Sequence, residues 1–362
     1  MSSPTLYLAI TNHGFGHATR AAAVAATLQQ QRPDLQLIVA TTAPQWLLQS
    51  YLDGAFTYRP VSFDIGVLQQ DSLMMDKAAT LEKLKWIRRH QDEILAEEIA
   101  FVQQAGVDLI LADIPPLATV LAQRAGIPCW MMSNFGWDFI YRPWGGEFEA
   151  IADWIAACFG QCDRLFRLPF HEPMTAFPQI MDVGLTGGSP RHSPQALRSH
   201  YSLHRPTAQT VLLTFGGLGL AQIPYRALQR YPDWQFITFD QQAPDLPNLC
   251  KVSDRRLRPV DFMPLCDRIL SKPGYGTFSE ACRLQCGILT LPRQDFAEAD
   301  LLLKGIQDHA QHQILDPDAF FADDWSFLEQ PLQPPRSSVP LDTQGNLAVA
   351  TSIINYFQTR RS

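Results

Sequence analysis

Short apolar runs of strand length alternate with longer helical patterns along most of this chain, and the alternation starts twice. Leu6-Tyr7-Leu8-Ala9-Ile10 reads as a strand, residues 17–30 as an Ala-rich helix, and Leu35-Gln36-Leu37-Ile38-Val39-Ala40 as the next strand. Further strands are expected at 56–61, 108–113 and 127–133. Between them lie a long charged amphipathic stretch over 76–105 and a helix from Pro115 to Ala125, stopped by Gly126. Strands this uniformly apolar are buried on both faces, and helices between them imply a parallel, doubly wound α/β sheet. Around residues 168–208 the pattern dissolves into Pro, His, Gly and Ser, with Gly187-Gly188-Ser189-Pro190 the clearest break. It then restarts with Val211-Leu212-Leu213-Thr214-Phe215, a helix over 221–230, a strand from Gln235 to Phe239, and the run Gly287 to Pro292. The expected division is a Rossmann-like domain over 1–168, a linker region over 169–208 and a second Rossmann-like domain over 209–342. A C-terminal helix over 343–362 has the first domain as its candidate packing surface.

Composition narrows the field. A chain of 362 residues is comfortable for two domains, and 46% apolar with 18% charged residues describes a fully folded globular protein. A net charge of −7 argues against a general nucleic-acid surface, which needs clustered Lys and Arg. The seven Cys are odd in number and scattered. Cys158 with Cys162, and Cys282 with Cys286, share helix faces, but a metal site would need more ligands nearby, so packed reduced thiols are expected and no metal is assigned. Met1 to Thr5 has no basic segment ahead of an apolar core, and no run approaches the ~20 residues of a spanning helix. A cytoplasmic location is the expectation.

Two junctions carry the chemistry. Ser271-Lys272-Pro273-Gly274-Tyr275-Gly276-Thr277-Phe278-Ser279-Glu280-Ala281 reads as a strand end, a glycine-bearing turn and the first turn of a helix. Such a junction lets backbone N–H groups approach an anion closely, and a diphosphate would sit there. Asn12-His13-Gly14-Phe15-Gly16-His17-Ala18-Thr19-Arg20 is a second one, so each domain has a loop above its sheet and a cleft is expected between them. Neither loop closes with Gly-Lys-Ser/Thr. Gly14 and Gly16 have the first dinucleotide spacing, but Thr19 stands where the third glycine would be. P-loop kinase and NAD-binding readings are disfavoured.

These residues resemble a known family. Gly14-Phe15-Gly16-His17, Phe215-Gly216-Gly217 and Lys272 to Glu280 look like a GT-B glycosyltransferase of the MurG-like class. A narrower resemblance, carried by Asn134 to Tyr141, Arg167-Leu168-Pro169-Phe170 and Asp295-Phe296-Ala297-Glu298, is to the glycosyltransferase-like region that precedes the kinase domain of plant L-arabinokinases. It covers about residues 5–315. The resemblance does not extend to a galactokinase-type domain, so sugar kinase activity is not expected to carry over.

The resemblance implies two Rossmann-like domains facing across a cleft, with the nucleotide-sugar donor, by expectation a UDP-sugar, in the second and the acceptor in the first. It places the donor diphosphate near Gly216, Gly217, Gly274, Gly276 and Thr277, the ribose hydroxyls on Glu280, and sugar hydroxyls on Asp295 and Glu298. Val260, Phe262 and Met263 become candidates for the base pocket. Plainer readings stand beside these. Thr277 and Glu280 also have the spacing of a capping box, Asp295 and Glu298 that of a solvated helix start, and Lys272 is left unassigned. The acceptor side would include His13, Gly14, Gly16, Asn134 and Asp138, with Trp137 as stacking face or packing residue.

Transfer with inversion needs a base for the acceptor hydroxyl and stabilisation of the leaving diphosphate. The resemblance points to His17 as that base; Asp113, at the end of a strand in the same domain, is expected to orient it, and His13, lying at a strand end, is the rival. No cofactor is expected, since the nucleotide sugar is a co-substrate and a helix N-terminus would stabilise the leaving group without metal. The acceptor, a sugar, a lipid or another small molecule, stays open. The aromatic segment from Trp144 to Phe159 reads as a core-facing helix in preference to a membrane contact. Two rivals remain, a nucleotide-sugar 2-epimerase and a non-catalytic sugar-nucleotide-binding regulatory protein.

Overall fold

The computed structural model describes residues 3–68, 75–216, 223–323 and 325–360. The first sheet contains β1 (Thr5–Ile10), β2 (Gln36–Ala40), β3 (Thr57–Arg59), β4 (Leu109–Asp113), β5 (Cys129–Ser133), β6 (Arg164–Arg167) and β7 (Ile180–Asp182). All its pairs are parallel, in the order β3-β2-β1-β4-β5-β6-β7. The second contains β8 (Thr210–Leu213), β9 (Gln235–Thr238), β10 (Leu249–Lys251), β11 (Arg268–Ser271), β12 (Gly287–Thr290) and β13 (His312–Ile314). It is parallel too, in the order β10-β9-β8-β11-β12-β13.

The central strands of each sheet are buried on both faces, as their apolar residues require, while the edge strands β3 and β7 are not. In β1 the residues alternate between two cores: Tyr7 and Ala9 join one, Leu6, Leu8 and Ile10 the other. In the second domain Leu212, Ile269 and Ile288 face one layer while Val211, Leu213, Leu270 and Leu289 face the opposite one. Helices cover these faces, which is the doubly wound arrangement expected. The helix Glu147–Phe159 buries Phe148, Ile151, Ile155 and Phe159 in the first core, so its apolar side faces inward. All seven cysteines are free thiols.

Several boundaries move. The first sheet continues to β7, so the N-terminal unit runs past residue 168, and the expected linker also contains a helix, Pro194–His200. The helix expected over 221–230 is, in its described part, a 3-10 helix at Tyr225–Arg230. Pro224 and Pro232 bracket it, leaving too few residues for a longer α-helix. The charged stretch forms the helix Lys77–Gln104, bent where His90 leaves helical geometry.

The C-terminal helix Gly345–Thr359 returns to the first domain. Val349, Ala350, Ile353 and Phe357 pack with Ala21, Val24, Ala25 and Leu28 of the helix Gly16–Gln31. Its entry is tight. The Gly345 N–H donates to the Leu185 carbonyl at 3.2 Å, and a Cβ on Gly345 would lie 2.0 Å from the Gly184 carbonyl oxygen.

Candidate functional site

In the first sheet the strand order reverses between β1 and β4, and in the second between β8 and β11. Ligands of open α/β sheets gather beyond the carboxyl ends of the strands at such reversals. Several of the expected site residues fall on these two places. The loop 12–16 leaves β1 and Asp113 ends β4, while Gly216 follows β8 and the loop 272–274 follows β11.

The two crevices face each other through bare backbone. Gly16 opens the helix Gly16–Gln31, and Gly276 is the second residue of the helix Tyr275–Arg283. A Cβ on Gly276 would lie 3.4 Å from the Gly16 Cα, the Gly16 oxygen and the Thr19 hydroxyl, so this approach uses the missing side chain. Neither helix has a side-chain cap or an acidic residue in its first turn. Both therefore present uncompensated positive ends to the junction. Gly14 and Gly216 adopt left-handed conformations, at φ 68° and 76°, as the turns after β1 and β8 require. Gly274 is extended and precedes the second helix.

Beneath this junction lies a buried polar cluster. His17 Nδ1 is 2.8 Å from Asp113 Oδ1. Arg20, 2% exposed, grips the same carboxylate with two 2.6 Å hydrogen bonds, from Nε to Oδ2 and from one terminal nitrogen to Oδ1. Its other terminal nitrogen donates to Asn134 Oδ1 at 2.8 Å. Asn134 Nδ2 then donates to Glu298 Oε1 at 2.8 Å, carrying the cluster into the second domain. Burial opposes the charge on Asp113, but Arg20 and His17 outweigh it and hold the carboxylate below its usual pKa. Arg20 is likewise pushed up, Asp113 overcoming the penalty of burial.

His13 sits in a stack of rings, parallel to Phe296 at 5.4 Å and edge-on to Trp137 at 5.2 Å. The Arg293 guanidinium lies over the Phe296 ring, with Cζ 4.1 Å from its centroid. Burial, followed by the charges of Arg293, His17 and Lys272, depresses the His13 pKa well below the ordinary imidazole value. The Val67 N–H donates to His13 Nδ1 at 3.2 Å, consistent with a neutral ring accepting there. Lys272 passes Gly216, whose missing Cβ would lie 3.5 Å from the lysine Cε. Two helix ends, Lys272 and Arg293 thus make a local cationic site in a chain whose net charge is −7.

The remaining expected residues take several places. Thr277 lies in the first turn of its helix, and Glu280 is a full turn further on and buried. The capping-box reading is corrected, because the N-cap is Gly274 and no side chain caps it. Glu280 Oε1 instead accepts from the Gly188 N–H at 2.8 Å and from the Tyr51 hydroxyl at 3.3 Å. Burial raises the Glu280 pKa, against the pull of the Gly188 hydrogen bond and Arg258. Asp295 has φ 61° and pairs with Lys77 Nζ at 2.9 Å, while its carbonyl accepts from Trp144 Nε1 at 3.1 Å. Phe296, between them in sequence, is buried in the first domain's core. The Asp295–Glu298 stretch therefore clasps the first domain.

Phe262 is wholly buried against Tyr201 and Phe239, and Val260 and Met263 share that core, so the base-pocket expectation for these residues is corrected to packing. Asp138 lies against Gly136 and near Glu172, and its pKa is raised by burial; the structure does not bring it into the His17 cluster. Gly217 lies outside the described residues. Sequence reasoning missed Arg20, Arg293 and Tyr51. The spacing of His17 and Arg20, three apart on one helix, was the available signal, since it sets both on one face. Arg293 and Tyr51 had none, because only the fold brings them in.

No family model matches the chain. Over 307 residues it is 30% identical to L-arabinokinase of Arabidopsis thaliana, covering 81% of this chain but 28% of the relative, so the chain spans just over a quarter of that protein's length. Among solved structures it is similar to the glycotransferase of kitacinnamycin, with TM-score 0.63, 15% identity, and 98% of this chain and 99% of that one covered. It is also similar to a UDP-glucose: anthocyanidin 3-O-glucosyltransferase in complex with UDP, with TM-score 0.62, 12% identity, and coverage of 98% and 95%. A third likeness is to a UGT transferase from Siraitia grosvenorii in complex with UDP, with TM-score 0.54, 13% identity, and coverage of 90% and 92%. The fold is GT-B, as the sequence resemblance implied, and the likeness to a plant L-arabinokinase is found as well.

Proposed function

We propose that the chain is a glycosyltransferase that binds a nucleotide sugar, by preference a UDP-sugar, and passes its glycosyl group to a hydroxyl acceptor. The observation that carries this is the His17–Asp113 pair at the strand reversal of one sheet, facing the uncapped helix start at Tyr275 and Gly276 on the reversal of the other. In this reading the donor diphosphate lies against Gly216, Gly276, Thr277 and Lys272, and Glu280 takes the ribose. Asp113 accepts the Nδ1 proton of His17, leaving Nε2 to take the proton of the acceptor hydroxyl. The acceptor oxygen attacks the anomeric carbon, the bond from that carbon to the phosphate oxygen breaks, and the diphosphate leaves with its charge held by the helix ends and Lys272. The displacement is inverting and metal-independent, as in the MurG-like class, and runs in the cytoplasm.

Entry to the donor site requires the domains to part, and transfer follows once they close again over the donor. Gly16 meets Gly276, and Asn134 and Lys77 hold Glu298 and Asp295. That same closure favours a second reading, a regulatory protein that binds sugar nucleotides without turnover. The test is a thermal-shift screen of nucleotide sugars, followed by donor consumption across an acceptor panel. UDP-sugar is expected to stabilise the protein, Gly276→Asp and Glu280→Ala to weaken that effect, and His17→Ala to abolish transfer while binding persists. Equal stabilisation of wild type and variants rejects the site, and an unchanged rate in His17→Ala rejects the base. Binding with no donor consumed selects the regulatory reading.

A further inference from the structure

Arg20 makes more contacts than a counter-ion for Asp113 needs. Two hydrogen bonds neutralise the carboxylate. The others lead elsewhere: the terminal nitrogen on Oδ1 also donates to Ser133 Oγ at 3.1 Å within the first domain, Asn134 relays the other side of the guanidinium to Glu298, and Tyr275 lies under its face, 5.0 Å from Cζ to the ring centroid. Glu298 and Tyr275 are the first residues of two second-domain helices. A guanidinium holds its donors in one rigid plane, so contacts at its edges and face set its orientation.

That orientation bears on His17. Its Nδ1 is 2.8 Å from Asp113 Oδ1, an acceptor, and 3.0 Å from an Arg20 terminal nitrogen, a donor. Only one of the two can be satisfied at a time. With the proton on Nδ1 the ring donates to Asp113, and Nε2 keeps the lone pair a base requires. With the proton on Nε2 the ring accepts from Arg20 and has no basic nitrogen toward the cleft. A small turn of the guanidinium decides between them.

We propose that Arg20 is a positioning residue through which docking of the second domain sets the tautomer of His17. The proposal rests on the reading of His17 as base for its catalytic meaning, but the coupling itself is measurable without turnover. In the docked arrangement Tyr275 and the Asn134–Glu298 link hold the guanidinium on Asp113, and His17 carries its proton on Nδ1. Released from them, Arg20 turns toward Nδ1 and the proton moves to Nε2.

The experiment is nitrogen NMR of full-length protein labelled with 15N in its histidines, the His17 lines being assigned by their loss in His17→Gln. Wild type is expected to show a protonated Nδ1. Tyr275→Leu removes the ring face and is expected to move the Nδ1 line into the unprotonated range. Tyr275→Phe keeps that face and is expected to restore the wild-type pattern. Should Tyr275→Leu not fold, Glu298→Ala, which cuts the relay through Asn134, is expected to give the same shift. A His17 pattern unchanged in the folded Leu or Ala variant overturns the proposal, and so does a wild type protonated on Nε2. The donor-consumption assay decides the base reading separately. A tautomer that responds to Tyr275 in a protein that consumes no donor leaves the coupling standing and removes only its catalytic use.

Discussion

Asp64 offers a quantitative test of how the first domain is built beneath its site. The residue follows β3, is 6% exposed, and accepts from the Thr11 hydroxyl at 2.6 and 2.5 Å on its two oxygens. Burial is the largest influence on it and outweighs the lowering by Thr11, with the charge of Asp113 adding to the rise. The result is a carboxyl raised from 3.8 to about 7. The sign follows from proton counting. Between about pH 4 and about pH 7 the unfolded chain has released this proton while the folded chain keeps it, so stability falls as pH rises and levels off above the folded value. At about 1.4 kcal/mol per pKa step, the loss is roughly 4 kcal/mol. Asp64→Asn stays neutral throughout and still offers Thr11 an acceptor. It is expected to melt close to wild type near pH 4 and higher than wild type at pH 8, by roughly 8–16 °C if the first domain unfolds as a unit. Differential scanning calorimetry of both proteins from pH 4 to 8 is the assay. Parallel curves of melting temperature against pH would refute the reasoning, because they would mean that Asp64 ionises alike in both states. The neighbourhood matters for the site as well: the Tyr141 hydroxyl donates to the Gly66 carbonyl, and Val67 donates to His13.

Two further outcomes probe the domain junction. Phe296 belongs to a second-domain loop but is 4% exposed within the first domain's core, so Phe296→Ala is expected to cost about 3–5 kcal/mol and to loosen the interface. An unaltered radius of gyration by small-angle scattering, together with an unaltered melting curve, would count against that. Gly345→Ala places a methyl 2.0 Å from the Gly184 carbonyl oxygen, a backbone atom that cannot swing aside. The C-terminal helix should lift from the first domain, seen as faster hydrogen exchange over residues 345–359, and exchange as slow as in wild type would show that the entry relaxes.

The legible part of the molecule was the part governed by local pattern. Uniformly apolar strands such as Leu6 to Ile10, with helices between them, allow only a sheet buried on both faces, and the glycine-bearing turns after β1 and β11 mark where strands hand over to helices. The His17–Asp113 contact was foreseen because the family resemblance singled out His17, in the first turn of the helix after β1, and Asp113 ends a strand of the same domain. The errors have an equally physical source. Thr277 and Glu280 have capping-box spacing, but the helix begins at Tyr275, so Glu280 is a full turn too deep to cap it. Phe262 is a pocket candidate in sequence because it precedes the loop that the family resemblance assigns to the donor, and only the path of its short helix turns it inward.

By itself, then, with His17 owed to the family resemblance, the sequence determined two parallel α/β domains and their glycine loops. Periodicity and turn chemistry act over a few residues, and those features need nothing more. The tertiary structure decided what faces them. Arg20 on Asp113, Glu298 on Asn134, Tyr51 on Glu280 and Phe296 in the opposite core join residues 93, 164, 229 and up to 283 positions apart, the last being the separation of Phe296 from His13. No local rule reports such pairs. They exist because the two sheets present their carboxyl ends to each other, with glycine on both sides where the backbones meet.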